Sequence, residues 1–370
     1  MTTPVKSEKS RILWLEALRI IAAFLVIVNH TNSDVFQSSH PGEITWHLSI
    51  LWYYVSKLAV PVYVMITGAL MLSRQDSWKK IFARILRVVI ALLCASYVYY
   101  LYDAWVNWGL WPRAIRLDIL LGKVFRMEIT DGFWYLYFYL AVLLAMPLCQ
   151  WLHRRMSQQQ RLNLIGFCFA LNAVLPLIGH YVPRLSLLEN PLLPYIPLGY
   201  LGLLFAGDQV VNHLRVSGRK GVYAAIAFCL ALMMAWLLTW LEFCRVEPGQ
   251  KYWFMDHRMV PALPVIVEAI SLMVLARWIG ERGKSLQTDD RPAGKPPRGR
   301  RIVAEMGGCA FGIYLAQDLL IAETEKRLFL PLLSQLPPMA AVLIWEMLVF
   351  VVALVVIWLL RRIPFLRRIL

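Results

Sequence analysis

Arg19-Ile-Ile-Ala-Ala-Phe-Leu-Val-Ile-Val-Asn-His30 is an apolar run closed at each end by a residue that hydrocarbon does not accept cheaply. Eleven positions at about 100° each make three turns plus about 20°, so on a helix Arg19 and His30 share one face. They stand about 16 Å apart along the axis. A charge inside a membrane span costs at least about 2.5 kcal/mol on insertion scales, which makes the pair a candidate functional site. The other reading is a pair that snorkels from the two helix ends or bonds to a neighbouring helix.

The rest of the chain carries the same character. It has 370 residues, 59% hydrophobic and 16% charged, with mean hydropathy +0.57. That composition excludes an ordinary soluble enzyme. Ten apolar runs are long enough to span: 12–32, 47–72, 88–108, 133–152, 162–180, 196–213, 222–241, 258–279, 303–322 and 339–360. An all-α integral membrane protein of about ten transmembrane helices is expected. Its parts are a tail at 1–11, a membrane domain at 12–360 and a basic tail at 361–370.

The net charge of +15 follows from topology. With the N-terminus placed inside, 26 of the 38 Lys and Arg fall in inner segments, 10 in outer ones and two, Arg19 and Lys57, within spans. This is the positive-inside pattern; it predicts both termini in the cytoplasm and needs no nucleic acid. The first span carries Glu16 and Arg19 with no small-residue cleavage site, so it reads as retained rather than as a signal peptide. The six cysteines are scattered without metal or disulfide spacing and read as small apolar fillers.

Residues 281–301 (ERGKSLQTDDRPAGKPPRGRR) read as a flexible basic cytoplasmic loop. Leu110 to Asp131 alternates apolar residues with Arg113, Arg116, Lys123 and Arg126, which suits a helix at the interface. Five prolines between Pro176 and Pro197 suit the outer ends of two spans. Trp46, Trp52, Trp105, Trp108 and Trp111 suit an outer aromatic belt, with sugar stacking as the other reading. No internal repeat is found, which counts against an inverted-repeat transporter.

At the start of the third span stands Lys79-Lys80-Ile-Phe-Ala-Arg84-Ile-Leu-Arg87. Arg84 and Arg87 lie on one helical face, and two guanidinium forks at that spacing suit phosphate oxygens. Plain positive-inside anchoring explains them as well. Lys57, Glu268 and Glu346 fall within spans, where pairing among themselves is expected, though each could line a cavity. Asp103, Asp208 and Asp318 lie nearer span ends, as capping or interfacial residues. His153, His180, His213 and His257 lie at membrane borders without metal-ligand spacing, so a solvated role and no metal site are expected.

Several of these stretches, taken in order, resemble the acyltransferase 3 family, membrane proteins that O-acylate sugars and other envelope molecules. Arg19 with His30 looks like the family's first-span hallmark. Val60-Pro-Val-Tyr-Val-Met-Ile-Thr67-Gly68 is similar to its VPLFFxxSG run, with Thr for Ser. Arg84-Ile-Leu-Arg87 fits its RxxR motif. Gly132-Phe-Trp134-Tyr-Leu, running on to Pro147-Leu148, is similar to its LWFL…PL span. Phe311-Gly-Ile-Tyr314-Leu is similar to its late GIYLxH, except that Gln317 stands where His is usual, which shifts the burden of a base to His30.

The resemblance covers about residues 12–360 and implies a bacterial inner-membrane, multi-pass O-acyltransferase without a resident cofactor. An acyl group, acetyl by expectation, would pass from cytoplasmic acyl-CoA as co-substrate to a hydroxyl of an envelope saccharide or glycolipid. His30 and Arg19 would be catalytic. Arg84, Arg87 and Lys80 would hold the donor's phosphates, and Thr67, Trp134, Tyr314, Gln317 and Glu268 would be cavity-lining candidates. Membrane lipid, donor and acceptor are the expected partners. The rival reading is a ten-span transporter or flippase for a polar or anionic envelope precursor, with Arg19 and His30 as substrate or proton-relay residues.

Overall fold

The computed structural model describes residues 12–39, 42–106, 116–182, 198–245, 262–285 and 298–370. Among these the secondary structure is helical, with no strand. The helices are α1 (Leu13–Ser38), α2 (Ile44–Ser56), α3 (Ala59–Met71), α4 (Trp78–Val106), α5 (Leu117–Phe125), α6 (Trp134–Arg155), α7 (Gln158–Phe169) and α8 (Leu175–Tyr181). They continue with α9 (Leu198–Asp208), α10 (Gly218–Arg245), α11 (Ala262–Ser285), α12 (Arg298–Thr324), α13 (Leu330–Leu333), α14 (Pro338–Leu360) and α15 (Pro364–Ile369). The molecule is an all-α membrane protein.

Eight helical stretches among the described residues are long and apolar enough to cross a membrane. Two expected spans fall short there. The one at 196–213 is seen as α9 and a π-turn, too short from Leu198 onward. The one at 303–322 is the middle of α12, which has the length but is diluted by Glu305, Gln317 and Asp318. The centre of the expected loop, 286–297, lies outside the described residues, as do Trp108, Trp111, Arg113 and His257. Of the expected interfacial stretch, α5 is seen. It exposes Leu117, Ile119, Leu121 and Phe125 and buries Leu120 and Val124.

Proline decides where the helices bend. The expected span 47–72 is two helices, because Pro61 has no N–H to give the Lys57 carbonyl. Lys57 and Leu58 form the turn between α2 and α3. Likewise Pro176 cannot bond to Asn172, and α7 passes into α8 through a π-turn at Ala170–Val174.

Small residues decide which helices touch. The Cβ of any residue replacing Gly68 would fall 1.8 Å from the Leu204 carbonyl oxygen, and at Gly207 it would fall 2.0 Å from that of Met65. Thus α3 and α9 meet backbone to backbone, the arrangement small residues permit in lipid. One apolar core runs from α1 through α3, α6, α9 and α11, and a second joins α1, α12 and α14. Helix α1 belongs to both, which puts Arg19 and His30 at the centre of the bundle.

Candidate active site

Where α1 passes α12 toward the far end, the Nδ1 of His30 lies 3.8 Å from Oδ1 of Asp318. The other carboxylate oxygen, Oδ2, accepts the Thr130 hydroxyl at 2.7 Å. Asp318 is therefore neither a cap nor an interfacial residue, as its position near a span end suggested. It is the carboxylate partner of His30. A Cβ at Gly132 would fall 2.1 Å from Oδ2, so only glycine lets the turn before α6 approach it. The Tyr314 hydroxyl donates to the Gly132 carbonyl, and Tyr99 donates to the Leu315 carbonyl while accepting the Leu319 N–H. This web fixes the α12 turn that carries Asp318. A carboxylate facing Nδ1 favours the tautomer with its proton there, which leaves the Nε2 lone pair to act as a base.

Closer to the end where α1 begins, Arg19 pairs with Glu16 at 2.7 Å. The Tyr63 hydroxyl donates to the Arg19 carbonyl at 3.3 Å. Arg84 pairs with Asp76 at 2.5 Å, and the Arg84 guanidinium holds the Asp76 carboxyl below the usual carboxylate range. The Asp76 N–H donates to Gln150 Oε1 at 3.4 Å, and Gln150 donates to the Met71 carbonyl. Arg87 uses Nε on the Ile369 carbonyl at 3.2 Å. Each guanidinium has five N–H groups, so both retain donors for a ligand. Lys80 is exposed.

Tyrosines join the two ends. Tyr135 stacks on Tyr139 with ring centroids 6.1 Å apart, lies 6.0 Å from Tyr63, and meets Tyr314 edge-on at 5.8 Å. The chain Tyr314–Tyr135–Tyr63 thus runs from the Asp318 web to the Arg19 carbonyl. Tyr135 and Tyr139 were not singled out in the sequence. Their four-residue spacing on α6 was the available signal, since it puts both rings on one face.

The remaining candidates divide. Thr67 donates back to the Tyr63 carbonyl at 2.9 Å. Trp134 is 43% exposed and meets Tyr135 edge-on, with ring centroids 6.1 Å apart, and Phe138 at 6.3 Å. Gln317 is buried, and both of its amide atoms lack a hydrogen-bond partner among the described residues. The expected pairing of Lys57, Glu268 and Glu346 does not occur. Lys57 reaches Asn29 at 2.6 Å, beside His30, because the α2–α3 turn faces α1. Glu346 accepts from Thr31 and from Trp52, both at 2.9 Å. Glu268 is fully buried, with both oxygens unpartnered among the described residues.

The border histidines are not simply solvated either. His153 lies 2.8 Å and His213 3.4 Å from Oδ2 of Asp208, which is fully buried and also accepts from Asn212. His180 meets Glu242 at 2.9 Å. The ligand atoms of His153, Asp208 and His213 lie within 4.8 Å of one another, a spacing a metal ion could bridge and one the linear sequence hid. The Arg161 guanidinium already stands there, 2.6 Å from His153 Nε2 and 3.2 Å from His213 Nε2. A fixed cation in the gap opposes a second one.

Compared with known proteins, residues 12–362 match the acyltransferase 3 family, described as an acyltransferase domain. No curated protein and no solved structure matches the chain.

Proposed function

The chain belongs to the acyltransferase 3 family, and from that premise we propose that it transfers an acetyl group from acetyl-CoA to a hydroxyl of an envelope saccharide or glycolipid. The observation that carries this reading is His30 facing Asp318 across α1 and α12. His30 Nε2 takes the acceptor's hydroxyl proton as its oxygen attacks the thioester carbonyl. The new C–O bond forms, the C–S bond breaks, and the coenzyme leaves as thiolate, to which the His30 proton returns. Asp318 holds the imidazole in the required tautomer and steadies its charge.

Arg19, about 16 Å further along α1, is too far to touch a carbonyl held at His30. Its place is along the donor's arm. The tyrosine lane between them is apolar enough to take a pantetheine chain, and Arg84, Arg87 and Lys80 would meet the phosphates at its cytoplasmic mouth. A bacterial inner membrane puts that mouth against the acyl-CoA pool. The match to an acyltransferase domain does not favour the transporter reading.

The test is acyl transfer by the full chain in lipid nanodiscs, with labelled acetyl-CoA and an envelope glycolipid. His30→Ala should lower the rate by about 10²–10⁴-fold with donor binding intact. Asp318→Asn keeps the shape and should depress the rate more than the Michaelis constant. A well-inserted His30→Ala protein that transfers like the parent would refute the assignment.

A further inference from the structure

Three ligand atoms and one guanidinium meet where α6 ends. Nε2 of His153, in the last turn of α6, lies 2.8 Å from Oδ2 of Asp208, and Nε2 of His213 lies 3.4 Å from the same oxygen. Arg161 reaches among them from α7. Its Nη1 is 2.6 Å from His153 Nε2, 3.2 Å from His213 Nε2 and 3.9 Å from Asp208 Oδ2. We propose that His153, Asp208 and His213 are the protein ligands of a zinc ion, and that zinc and the Arg161 guanidinium compete for this one place.

The ligand set has the right chemistry. Two imidazoles and a carboxylate suit Zn²⁺ and leave a fourth position to water. With zinc–ligand bonds of about 2.0–2.1 Å in tetrahedral geometry, the ligand atoms stand about 3.3 Å apart. The separation of His213 from Asp208 already fits, and His153 would draw back by about 0.5 Å.

The backbone presents all three from ordered elements. Asp208 ends α9, and His213 ends the π-turn Gln209–His213. On a regular α-helix, residues five apart point about 140° away from each other. The wider π-turn brings these two onto one face. Asn212 donates to Asp208 Oδ1 at 2.7 Å, which leaves Oδ2 facing the histidines. Such outer hydrogen bonds orient metal-binding carboxylates. Asp208 is fully buried and His153 is 8% exposed, while the His213 side chain is 30% exposed and gives an ion its approach.

Two details mark the guanidinium as an imperfect occupant. First, His153 Nε2 faces an acceptor, Asp208, at 2.8 Å and a donor, Arg161, at 2.6 Å. One ring nitrogen either carries a proton or offers a lone pair, so one of the two contacts is always unsatisfied. A metal ion draws the nitrogen and carboxylate lone pairs to a single point. Second, Arg161 Nε is buried with no acceptor among the described residues. Swinging the side chain out from the start of α7 into water would satisfy it.

The site does not rest on the acyl-transfer reading, in which neither histidine takes part. The experiment uses the full chain in nanodiscs, treated with a chelator and titrated calorimetrically with zinc chloride. The parent should bind one zinc per chain. His213→Gln alters the most exposed ligand, so it should weaken binding about tenfold or more while leaving the metal-free unfolding temperature unchanged. Arg161→Gln removes the competitor and should tighten binding about tenfold or more. Any stability this variant loses without metal should return with zinc.

X-ray absorption at the zinc edge of the loaded parent should show nitrogen and oxygen ligands at about 2.0–2.1 Å and no sulfur at about 2.3 Å. That separates this site from the six cysteines. A parent that binds zinc no better than His213→Gln, or through sulfur, overturns the site. Binding that Arg161→Gln leaves unchanged overturns the competition.

Discussion

Asp76 and Arg84 stand 2.5 Å apart, with the Asp76 side chain 6% exposed, just before α4 begins. A carboxyl held low by its partner stabilises the fold where it is ionised, and that contribution fades as protons return. The pair is at full strength at neutral pH and is lost as pH falls below the ordinary carboxylate pKa of about 4. In thermal unfolding, Asp76→Asn should therefore unfold earlier than the parent from about pH 8 to 5, with the gap closing below about pH 4. A gap independent of pH would mean that packing, not charge, is what the substitution removes. Gln317 illustrates the reverse case at this scale. A buried amide with neither atom satisfied is a cost, carried one position before the aspartate that serves His30.

At the level of helices, the contact between α3 and α9 depends on absent side chains. A Cβ at Gly207 would meet the Met65 backbone at 2.0 Å, and backbone cannot swing aside as a side chain tip would. Gly207→Ala should destabilise the protein by about 1–3 kcal/mol or more, the usual cost of overpacking. Gly166 on α7 is the control, since nothing lies within 4 Å of where its Cβ would stand. Gly166→Ala should leave stability unchanged or raise it by about 0.5–1 kcal/mol through helix propensity. Equal thermal shifts in both variants would show that the close approach of α3 and α9 is not what glycine serves.

Across the whole molecule, the distribution of Lys and Arg orients the bundle. Accessibility tags at residue 290 and at the C-terminus should report the cytoplasm, and a tag near residue 120, in α5, should report the opposite side. A residue-290 tag reached from outside would reverse the bundle and turn the arginines at Asp76 and Ile369 away from the acyl-CoA pool.

The one-dimensional sequence was enough for the helical class, the membrane setting and the placement of Arg19 and His30 on one face of α1. Each of these depends on local spacing or on the apolar length of a single segment, which the chain carries whether or not it is packed. That same apolar length hid the break at Pro61, because hydropathy counts residues and does not see a missing N–H. Asp318 facing His30, the tyrosine lane and the group around Asp208 depend on which helices become neighbours. Asp318 is 288 positions from His30, and Asp208 is 55 from His153. Inside a bilayer, water no longer competes for polar groups, so Asp318 and Glu346 take the partners that packing brings near, Thr130 for the first and Thr31 and Trp52 for the second. Small residues such as Gly68, Gly132 and Gly207 set that packing, and only the assembled bundle decides what they bring together.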